Sequence, residues 1–349
     1  MTGRALLLSP SRGRGGGIER YVETLESAFA SQGVECRRVD LHGCGPAAHA
    51  RLLAESRGQL RMSDTPTRVI VAHRALLPVA SLLAGERPGC GISLVCHGSD
   101  VWGAQLRARW LVERYLMRRS RVRVVAVSSF TAGVLFHGFP ATVLPPGLSD
   151  KWFNTLVDAS AAVQRQDPGI QLVTAFRLAD WRGKGLPELM DAVAGLGRPD
   201  VHVTVCGSGQ PTPELRRLVR AHPRCTLRSG LSDHELAREL AAADIFVLAT
   251  RTMRGRLACG EGFGLVLLEA QIAGTPVVAP AFGGSHDAFI DRVTGVAPAD
   301  ETAGSLTKVL DELLKDPIRL AQMGRRAAAW THECFAPQTY AARVVARLL

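Results

Sequence analysis

Residues 261–279 read EGFGLVLLEAQIAGTPVVA, and this stretch determines the fold class. The segment from about 264 to 273 is apolar apart from one amide and the carboxylate Glu269, which predicts a buried helix. Gly274 and the Thr-Pro pair end the helix, and the β-branched run at 276–279 predicts a short strand directly after it. A buried helix that leads into a buried strand is one unit of an α/β fold.

The same alternation of apolar runs and helical patterns extends outward in both directions, as is typical of parallel sheets built from βα units. The fold class is therefore α/β, and the stiff linker at 144–150, Leu-Pro-Pro-Gly-Leu-Ser-Asp, predicts two Rossmann-like domains. We place these domains at 1–148 and 149–335, followed by a helix over about 336–349 that can pack back on the first domain. The predicted strands lie near 4–9, 68–72, 92–96, 122–127, 170–175, 201–206, 245–249 and 276–279, and the predicted helices near 18–32, 185–195, 213–221, 233–242 and 264–273.

Composition limits the classes of function. Of the 349 residues, 46% are hydrophobic and 21% are charged, which excludes a disordered or fibrous chain. The 42 basic and 32 acidic side chains give a net charge of +10, which favours anionic partners such as phosphate groups or acidic lipid surfaces. Aromatic residues make up only 5% and are not interleaved with the basic residues, so we expect no nucleic-acid partner.

The cysteine pattern indicates a reducing compartment, and the hydropathy pattern predicts no membrane-spanning helix. The eight cysteines are scattered singly, without a CxxC pair or a Cys/His cluster at zinc spacing. No apolar stretch reaches the roughly 18 residues of a membrane-spanning helix. We therefore expect a cytoplasmic protein.

A glycine-rich loop at residues 12–19, Arg-Gly-Arg-Gly-Gly-Gly-Ile-Glu, follows the first predicted strand and opens the first predicted helix. Gly16 and Gly17 let the backbone approach a ligand while the N–H groups of the helix face an anion or a sugar hydroxyl. A tight turn without a ligand is the alternative, because the spacing is not that of GxGxxG.

Two carboxylates eight positions apart, Glu261 and Glu269, frame a glycine pair and an apolar run. A helix that begins near Phe263 or Gly264 presents its N–H groups to a phosphate, and both glutamates lie close enough to bind hydroxyl groups on either side. Because Glu269 is embedded in apolar residues, we expect it to be buried, and a buried carboxylate needs partners.

Several short motifs follow one another along the chain: Gly16-Gly17-Ile18-Glu19, His97-Gly98-Ser99-Asp100, Ser128-Ser129, Pro146-Gly147, Arg177 with Lys184, Glu261 with Glu269, and Gly283-Gly284. In this order the sequence resembles glycosyltransferase family 4, a group of enzymes with the GT-B fold, from the glycine loop nearly to the C-terminus. The resemblance implies two facing Rossmann-like domains with a cleft between them, a nucleotide-sugar donor in the cleft, and transfer with retention of anomeric configuration. It also implies that the domain at 1–148 binds the acceptor and that the domain at 149–335 binds the nucleotide-sugar.

The resemblance also assigns roles to residues. Arg177 and Lys184 bind the donor diphosphate, where a guanidinium and an ammonium group neutralise charge on the departing group. His97 faces the reacting sugar and Glu261 contacts the hydroxyl groups of the donor sugar, which completes the predicted catalytic set. The predicted donor-binding residues are Gly16, Gly17, Gly207, Ser232, Gly262, Phe263, Gly264, Leu265 and Glu269.

Within the predicted donor site, Glu269 hydrogen-bonds the ribose, and the base lies between residues 206–209 and 229–232. Family frequency favours UDP as the nucleotide. The family is metal-independent and the chain contains no DxD pair, so we expect no metal and no other cofactor. The acceptor is a hydroxyl of a small molecule, a saccharide or a lipid, and the predicted enzyme is a retaining hexosyltransferase.

The sequence departs from the family pattern in two places, and a third segment suggests a membrane partner. A basic insertion at 251–260 precedes Glu261, and Ser-His-Asp at 285–287 replaces the usual Pro-Glu, so the donor sugar is uncertain on sequence alone. The segment 102–123 reads as a basic amphipathic helix, which packs against the core or makes peripheral contact with an anionic membrane.

Other functions compete with the transferase. A dehydrogenase would need GxGxxG with an acidic residue about 20 positions later; Asp40 is suitably placed, but the glycine spacing is wrong. A sugar-nucleotide epimerase with the GT-B fold is a nearer alternative, as is a non-catalytic nucleotide-sugar-binding protein. The presence of Arg177, Lys184 and both glutamates disfavours the non-catalytic binding protein.

Overall fold

The computed structural model describes residues 4–10, 16–61, 67–87, 89–98, 102, 109–119, 122–135, 139–163, 169–253 and 259–349. Within these ranges the chain forms two parallel six-stranded sheets flanked by helices. It divides into two compact units. The predicted α/β class with two Rossmann-like domains is confirmed.

Unit 1 comprises Met1–Asp150, Arg254–Gly262 and Pro337–Leu349. Its strand order is β2-β1-β3-β4-β5-β6, so the direction of strand addition reverses between β1 and β3. The strands are β1 Arg4–Ser9, β2 Glu35–Asp40, β3 Thr67–Val71, β4 Gly91–Cys96, β5 Arg123–Ala126 and β6 Ala141–Val143. The helices that alternate with them are α1 Gly17–Ser31, α2 Pro46–Arg61, α3 Leu77–Glu86, α4 Arg109–Arg119 and α5 Ser129–Leu135.

Helix α1 shows why these elements form where they do. Val22, Leu25 and Phe29 recur at helical spacing, and all three are buried. The helix ends before Gly33, which adopts a positive φ of 67° that favours glycine.

Unit 2 comprises Lys151–Met253 and Phe263–Ala336. Its strand order is β12-β11-β10-β7-β8-β9, with the reversal between β7 and β10. The strands are β7 Ile170–Arg177, β8 Val201–Ser208, β9 Cys225–Ser229, β10 Ile245–Val247, β11 Val277–Val278 and β12 Gly295–Val296. The helices are α6 Asp150–Ala162, α7 Leu186–Gly195, α8 Pro213–Arg220, α9 Asp233–Ala242, α10 Leu265–Ile272, α11 Ala303–Leu314 and α12 Pro317–Phe335.

The C-terminal helix α13, Pro337–Leu348, belongs to unit 1 and packs against α1. Its end is fixed to the first sheet, because Ser93 Oγ donates to the carbonyl of Leu348 over 2.7 Å. The assignment of acceptor binding to residues 1–148 and donor binding to 149–335 concerns function and stays a prediction.

The predicted basic helix at 102–123 is too long. In its described part the helix is α4, and Arg123 already opens β5 because a valine-rich run follows it. Residues 103–108 and 120–121 lie outside the described part of the chain. Among the helices that the structure describes, none combines the length and apolarity needed to cross a bilayer.

Candidate functional site

The predicted diphosphate ligands lie at the carboxyl edge of the second sheet, beside its reversal point. Arg177 is the last residue of β7, and Lys184 lies in the turn between β7 and α7. Ligands of open α/β sheets bind outside the carboxyl ends of strands at such a reversal. Arg177 is exposed, with its guanidinium 3.8 Å from the carboxylate of Asp180, and the backbone N–H of Lys184 donates to the carbonyl of Asp180 over 3.0 Å.

The turn that carries Lys184 is fixed to the segment after β10. Gly185 has a positive φ of 71°, and a β-carbon there would lie only 2.7 Å from the carbonyl carbon of Ala249. The N–H of Arg251 donates to the carbonyl of Gly183 over 2.9 Å, and the side chain of Arg251 pairs with Glu188. The two loops at the reversal point are therefore joined, which restricts where the Lys184 backbone can lie.

The predicted base site is built from the ends of β8 and β9. Gly207 pairs with Phe176 of β7, and a β-carbon on it would lie 2.5 Å from the Leu178 side chain, so only glycine fits. The neighbouring Cys206 is buried, and burial raises the pKa of its thiol to about 12. This thiol stays protonated and is no nucleophile at neutral pH.

Ser232 has a clear structural role at the same edge. It is the N-cap of α9, where its hydroxyl accepts from the N–H of Glu235 and its own N–H donates to the Glu235 carboxylate over 2.8 Å. This reciprocal pair is a capping box. A contact between the Ser232 N–H and a base would have to displace the Glu235 carboxylate.

The second glutamate of the predicted pair is buried, as expected. Glu269 lies in α10 with 4% of its surface exposed, and its Oε1 accepts from the indole Nε1 of Trp152 over 2.9 Å. Trp152 lies on α6, and the sequence reasoning missed it. Gly264 caps α10 with a positive φ of 81°, and Phe263 before it is buried. The Glu269 side chain therefore has a fixed orientation.

In unit 1, His97 follows β4 at the carboxyl edge of the first sheet. Its Nε2 lies 3.0 Å from the carbonyl oxygen of Ala72, at the end of β3. Its ring meets the ring of Tyr21 at 84°, with the centroids 5.2 Å apart. Gly16 and Gly17 begin α1 beyond β1, and Gly16 has a φ of 129°. Residues 11–15 of the glycine loop and 99–100 of the histidine motif lie outside the described residues.

The first glutamate of the pair also belongs to unit 1. Glu261 lies between Gly260, whose β-carbon would be 2.7 Å from the Trp102 indole, and Gly262, whose β-carbon would be 2.6 Å from Gly98 Cα. Both contacts are closer than any side chain allows, so glycine is required on each side of Glu261. The structure thus brings the backbones of the predicted catalytic residues His97 and Glu261 together within one unit.

Within the described ranges, no group of three or more His, Cys, Asp and Glu side chains is arranged to hold a metal ion. Elsewhere at the carboxyl edge of the second sheet, Gly283 has a φ of 109° and opens a short 3₁₀ turn, Gly284–Asp287. The predicted roles of all site residues stay predictions at this point.

Comparison with known proteins identifies the family. A sequence profile described as glycosyl transferases group 1 matches residues 158–330. A GDP-mannose-dependent monoacylated alpha-(1-6)-phosphatidylinositol monomannoside mannosyltransferase from Corynebacterium glutamicum is 30% identical over 283 residues, 73% of this chain and 69% of that protein. A GDP-mannose-dependent alpha-(1-6)-phosphatidylinositol monomannoside mannosyltransferase from Mycolicibacterium smegmatis is 31% identical over 288 residues, 78% of this chain and 73% of that protein.

A solved structure supports the fold independently of these sequences. Sucrose-phosphate synthase from Thermosynechococcus elongatus matches with a TM-score of 0.80 and 19% identity over 98% of both chains. This likeness shows the fold, which is GT-B, and the predicted fold class is confirmed. The two sequence relatives, the profile match and the GT-B fold together show that the chain belongs to the group 1 glycosyltransferases, the family 4 type of GT-B enzyme, and is a glycosyltransferase.

Proposed function

We propose that the protein is a retaining glycosyltransferase that moves a mannosyl group from GDP-mannose to a hydroxyl of a lipid-linked acceptor. The observation that carries this proposal is the position of two cationic residues at the carboxyl edge of the second sheet. Arg177 ends β7, and Lys184 lies in the following turn, which is joined to the segment after β10. A sheet edge of this kind that carries an arginine and a lysine suits the diphosphate of a nucleotide-sugar.

The proposed base is guanine and not uracil. The expectation of UDP was based on family frequency alone, and the relatives named above are GDP-mannose-dependent, which gives UDP no support. Gly207 and Gly209 have no side chains, so we propose that the base is contacted largely by backbone groups. The donor sugar is likewise proposed from the relatives, because the replacement at residues 285–287 leaves it open.

In the proposed reaction, the bond between the anomeric carbon and the diphosphate oxygen breaks while the acceptor oxygen bonds to the same face of that carbon. Arg177, Lys184 and the N-terminus of α10 stabilise the charge that develops on the departing GDP. The departing phosphate oxygen takes the proton of the acceptor hydroxyl. An α-linked donor then gives an α-linked product, and we propose that no metal ion is needed.

The remaining predicted residues bind and orient the donor in this proposal. Glu261 accepts hydrogen bonds from the hydroxyl groups of the sugar, and His97 faces the reacting sugar. Glu269, already oriented by Trp152, accepts a hydrogen bond from the ribose. Gly16 and Gly17 let the start of α1 approach the sugar or the phosphate closely.

A lipid-linked acceptor agrees with the surface of α4. Its outward face combines Leu111, Val112 and Tyr115, which are 70%, 57% and 56% exposed, with the exposed cations Arg118 and Arg119. Apolar side chains beside arginines suit the headgroup region of an anionic bilayer. We propose peripheral contact with such a membrane here.

The opposite face of α4 is fixed to unit 1. Glu113 is buried and pairs with Nε of Arg74 over 2.9 Å, and Arg74 is buried as well. An isolated buried charge would be costly, so each residue of the pair requires the other. The sequence reasoning missed this pair, which keeps the outward face of α4 in a defined orientation.

Calorimetric titration with GDP, UDP and ADP tests the donor, and GDP is expected to bind most tightly. Transfer is measured with GDP-mannose and phosphatidylinositol monomannoside in phosphatidylinositol vesicles, with the anomeric configuration read from proton NMR of the product. A β-linked product, or complete inactivation by EDTA, would refute the mechanism. Formation of an epimerised nucleotide-sugar without acceptor would favour the epimerase, and donor binding without turnover would favour a binding protein.

Sedimentation with vesicles tests the membrane contact. The protein is expected to sediment with phosphatidylinositol vesicles and not with phosphatidylcholine vesicles, and Leu111→Ser with Tyr115→Ser should remove this binding. Val163→Ser is the matched control, because Val163 is an exposed apolar residue that directly follows α6 in unit 2 and is not part of α4. Equal binding by the double variant and the control would contradict the proposed surface.

A further inference from the structure

The backbone on either side of Glu261 contacts a single turn of the chain in the same unit. Gly262 meets Gly98, and Gly260 meets the ring of Trp102. The N–H of Trp102 donates to the carbonyl of Gly98 over 3.1 Å, so the two contact points are joined to each other. Both contacts act on the backbone, so they restrict the position of Glu261 whichever groups its carboxylate contacts.

Gly260 lies directly against the indole ring. A β-carbon on it would be 2.7 Å from Cε2 and 2.9 Å from Cη2 of Trp102, and closer still to Cζ2. Non-bonded heavy atoms normally stay about 3.5–4.0 Å apart, so a methyl group here would push the ring and the backbone apart by about 1 Å. Gly260 does not have a positive φ, so the ring, and not the backbone conformation, excludes alanine.

The ring of Trp102 is itself packed on Phe130, with the ring centroids 5.0 Å apart and the planes inclined at 30°. Aromatic pairs at this separation attract each other beyond the effect of their buried area. Phe130 lies in the first turn of α5, directly after Ser128, whose buried hydroxyl caps the helix by accepting from the N–H of Thr131 over 3.1 Å. The indole therefore packs on a residue of a capped helix, and Gly260 packs on the indole.

The indole N–H does not explain why tryptophan stands at this position. Nε1 of Trp102 is buried and has no hydrogen-bond partner among the residues that the structure describes. A buried N–H without an acceptor lowers stability, and phenylalanine would avoid that cost. Cζ2 and Cη2, two of the three atoms nearest to the Gly260 position, belong to the outer ring, which phenylalanine lacks. The property of tryptophan that this contact uses is therefore the extent of its ring system.

We infer that Trp102 is a positioning residue for the transfer reaction, and that its ring sets how closely the backbone at Gly260, and with it Glu261, approaches the turn at 98–102. This inference rests on the role proposed for Glu261. Glu261 contacts the donor sugar in that proposal, whereas Trp102 acts through the backbone beside it. Because the large ring is matched to a residue without a side chain, a smaller ring should accommodate a larger residue at position 260.

The test is a double-mutant cycle between Trp102→Phe and Gly260→Ala. Initial rates with GDP-mannose and phosphatidylinositol monomannoside give kcat, and calorimetry gives the affinity for free GDP. Trp330→Phe is the matched control, because Trp330 is also half-buried and packs on a phenylalanine, Phe335, at 5.4 Å, but lies in α12 of unit 2. In protein labelled with 5-fluorotryptophan, ¹⁹F NMR reports on the ring without substrate, and Trp102→Phe assigns its signal among the five tryptophans.

We expect Gly260→Ala to lower kcat about a hundredfold and Trp102→Phe to lower it about tenfold, since misplacing a reacting group by about 1 Å can cost about a hundredfold. The affinity for free GDP should stay unchanged in both, because GDP lacks the sugar that Glu261 contacts. The double variant should regain at least about tenfold in kcat over Gly260→Ala, since the smaller ring leaves room for the methyl group. Trp330→Phe should keep the wild-type kcat.

Losses of kcat that simply multiply in the double variant, or an equal loss in Trp330→Phe, would overturn the inference. If Gly260→Ala does not fold alone, the double variant should fold, and failure of both would overturn it as well. The ¹⁹F signal of Trp102 should shift in Gly260→Ala, and an unchanged signal would contradict the contact whether or not GDP-mannose is the donor. An unchanged kcat in Glu261→Ala would instead remove the proposed role of the carboxylate.

Discussion

Replacing Gly98 with alanine should separate the two loops that carry His97 and Glu261. Gly98 does not have a positive φ, so alanine is locally allowed and the effect must come from the contact alone. A β-carbon at this position would lie 2.7 Å from the backbone nitrogen of Gly262 and closer to its Cα. Normal separations between non-bonded heavy atoms are about 3.5–4.0 Å, so the two backbones must move apart by about 1 Å.

The size of the effect follows from this displacement. Overpacking by one methyl group against backbone typically costs about 1–3 kcal/mol, which should lower Tm by several degrees. Glu261 lies directly before Gly262, so it moves with the loop, and a displacement of about 1 Å at a reacting group costs about a hundredfold in rate. We therefore expect Gly98→Ala to lose about two orders of magnitude in kcat while the two units remain folded.

Initial rates with GDP-mannose and a thermal melt measure both effects. Gly133→Ala is the matched control, because Gly133 lies inside α5 of the same unit and a β-carbon there meets nothing within 4 Å. Its replacement should leave kcat unchanged and raise stability slightly, as alanine favours the helix. A wild-type kcat and Tm in Gly98→Ala would show that the loops separate freely, and the argument for glycine at this contact would fail.

Three further outcomes are expected. Lys184→Ala should lower kcat by about two to three orders of magnitude at unchanged Tm. Arg182→Ala is its control and should change kcat little, because the exposed guanidinium of Arg182 stacks on the Trp181 ring, 4.1 Å from its centroid. Equal losses of kcat in the two variants would contradict the diphosphate assignment. Burial raises the pKa of Tyr340, so the stability that its neutral phenol contributes is complete below the ordinary pKa of about 10 and is lost as the pH rises from there through the raised pKa. Tyr340→Phe should therefore unfold at a higher pH than the wild type in a circular-dichroism titration. An unchanged midpoint would count against this reasoning. The exposed Cys259 adjoins Gly260, so a maleimide should inactivate the wild type but not Cys259→Ala, and equal inactivation of both would place the sensitive thiol elsewhere.

The central strands and the helices beside the site were predictable because burial on both faces demands continuous apolar runs. The edge strands were not predicted, because they are not buried on both faces and lack continuous apolar runs. Strand β2 reads ECRRVD and β9 reads CTLRS, and both expose polar side chains at the border of a sheet. Helix α11 did carry a readable signal, since Leu306, Leu310 and Leu313 recur at helical spacing and are buried.

The candidate site divides in the same way. The sequence singled out Arg177, Lys184 and the two glutamates because they stand in short motifs next to predicted strands, and their roles stay predictions. The residues that support them could not be predicted in this way, since Trp152 and Glu269 are 117 positions apart and no local pattern connects them. The partnership of Tyr21 with His97 is equally remote in sequence, and only the fold brings the two rings together.

The two glutamates of the E-x7-E pair belong to different units, which the sequence pattern alone did not indicate. Glu261 belongs to unit 1, where Gly262 contacts Gly98, and Glu269 belongs to unit 2, where α10 holds it against Trp152. The chain crosses from unit 1 to unit 2 between residues 262 and 263, and Gly264, which has a positive φ, follows directly. The eight-residue spacing therefore joins two carboxylates that are oriented by different sets of contacts. Because those contacts are independent, a substitution at Gly98 should disturb Glu261 and leave the hydrogen bond of Glu269 intact, so kcat should fall in that variant while calorimetric affinity for free GDP stays at the wild-type value.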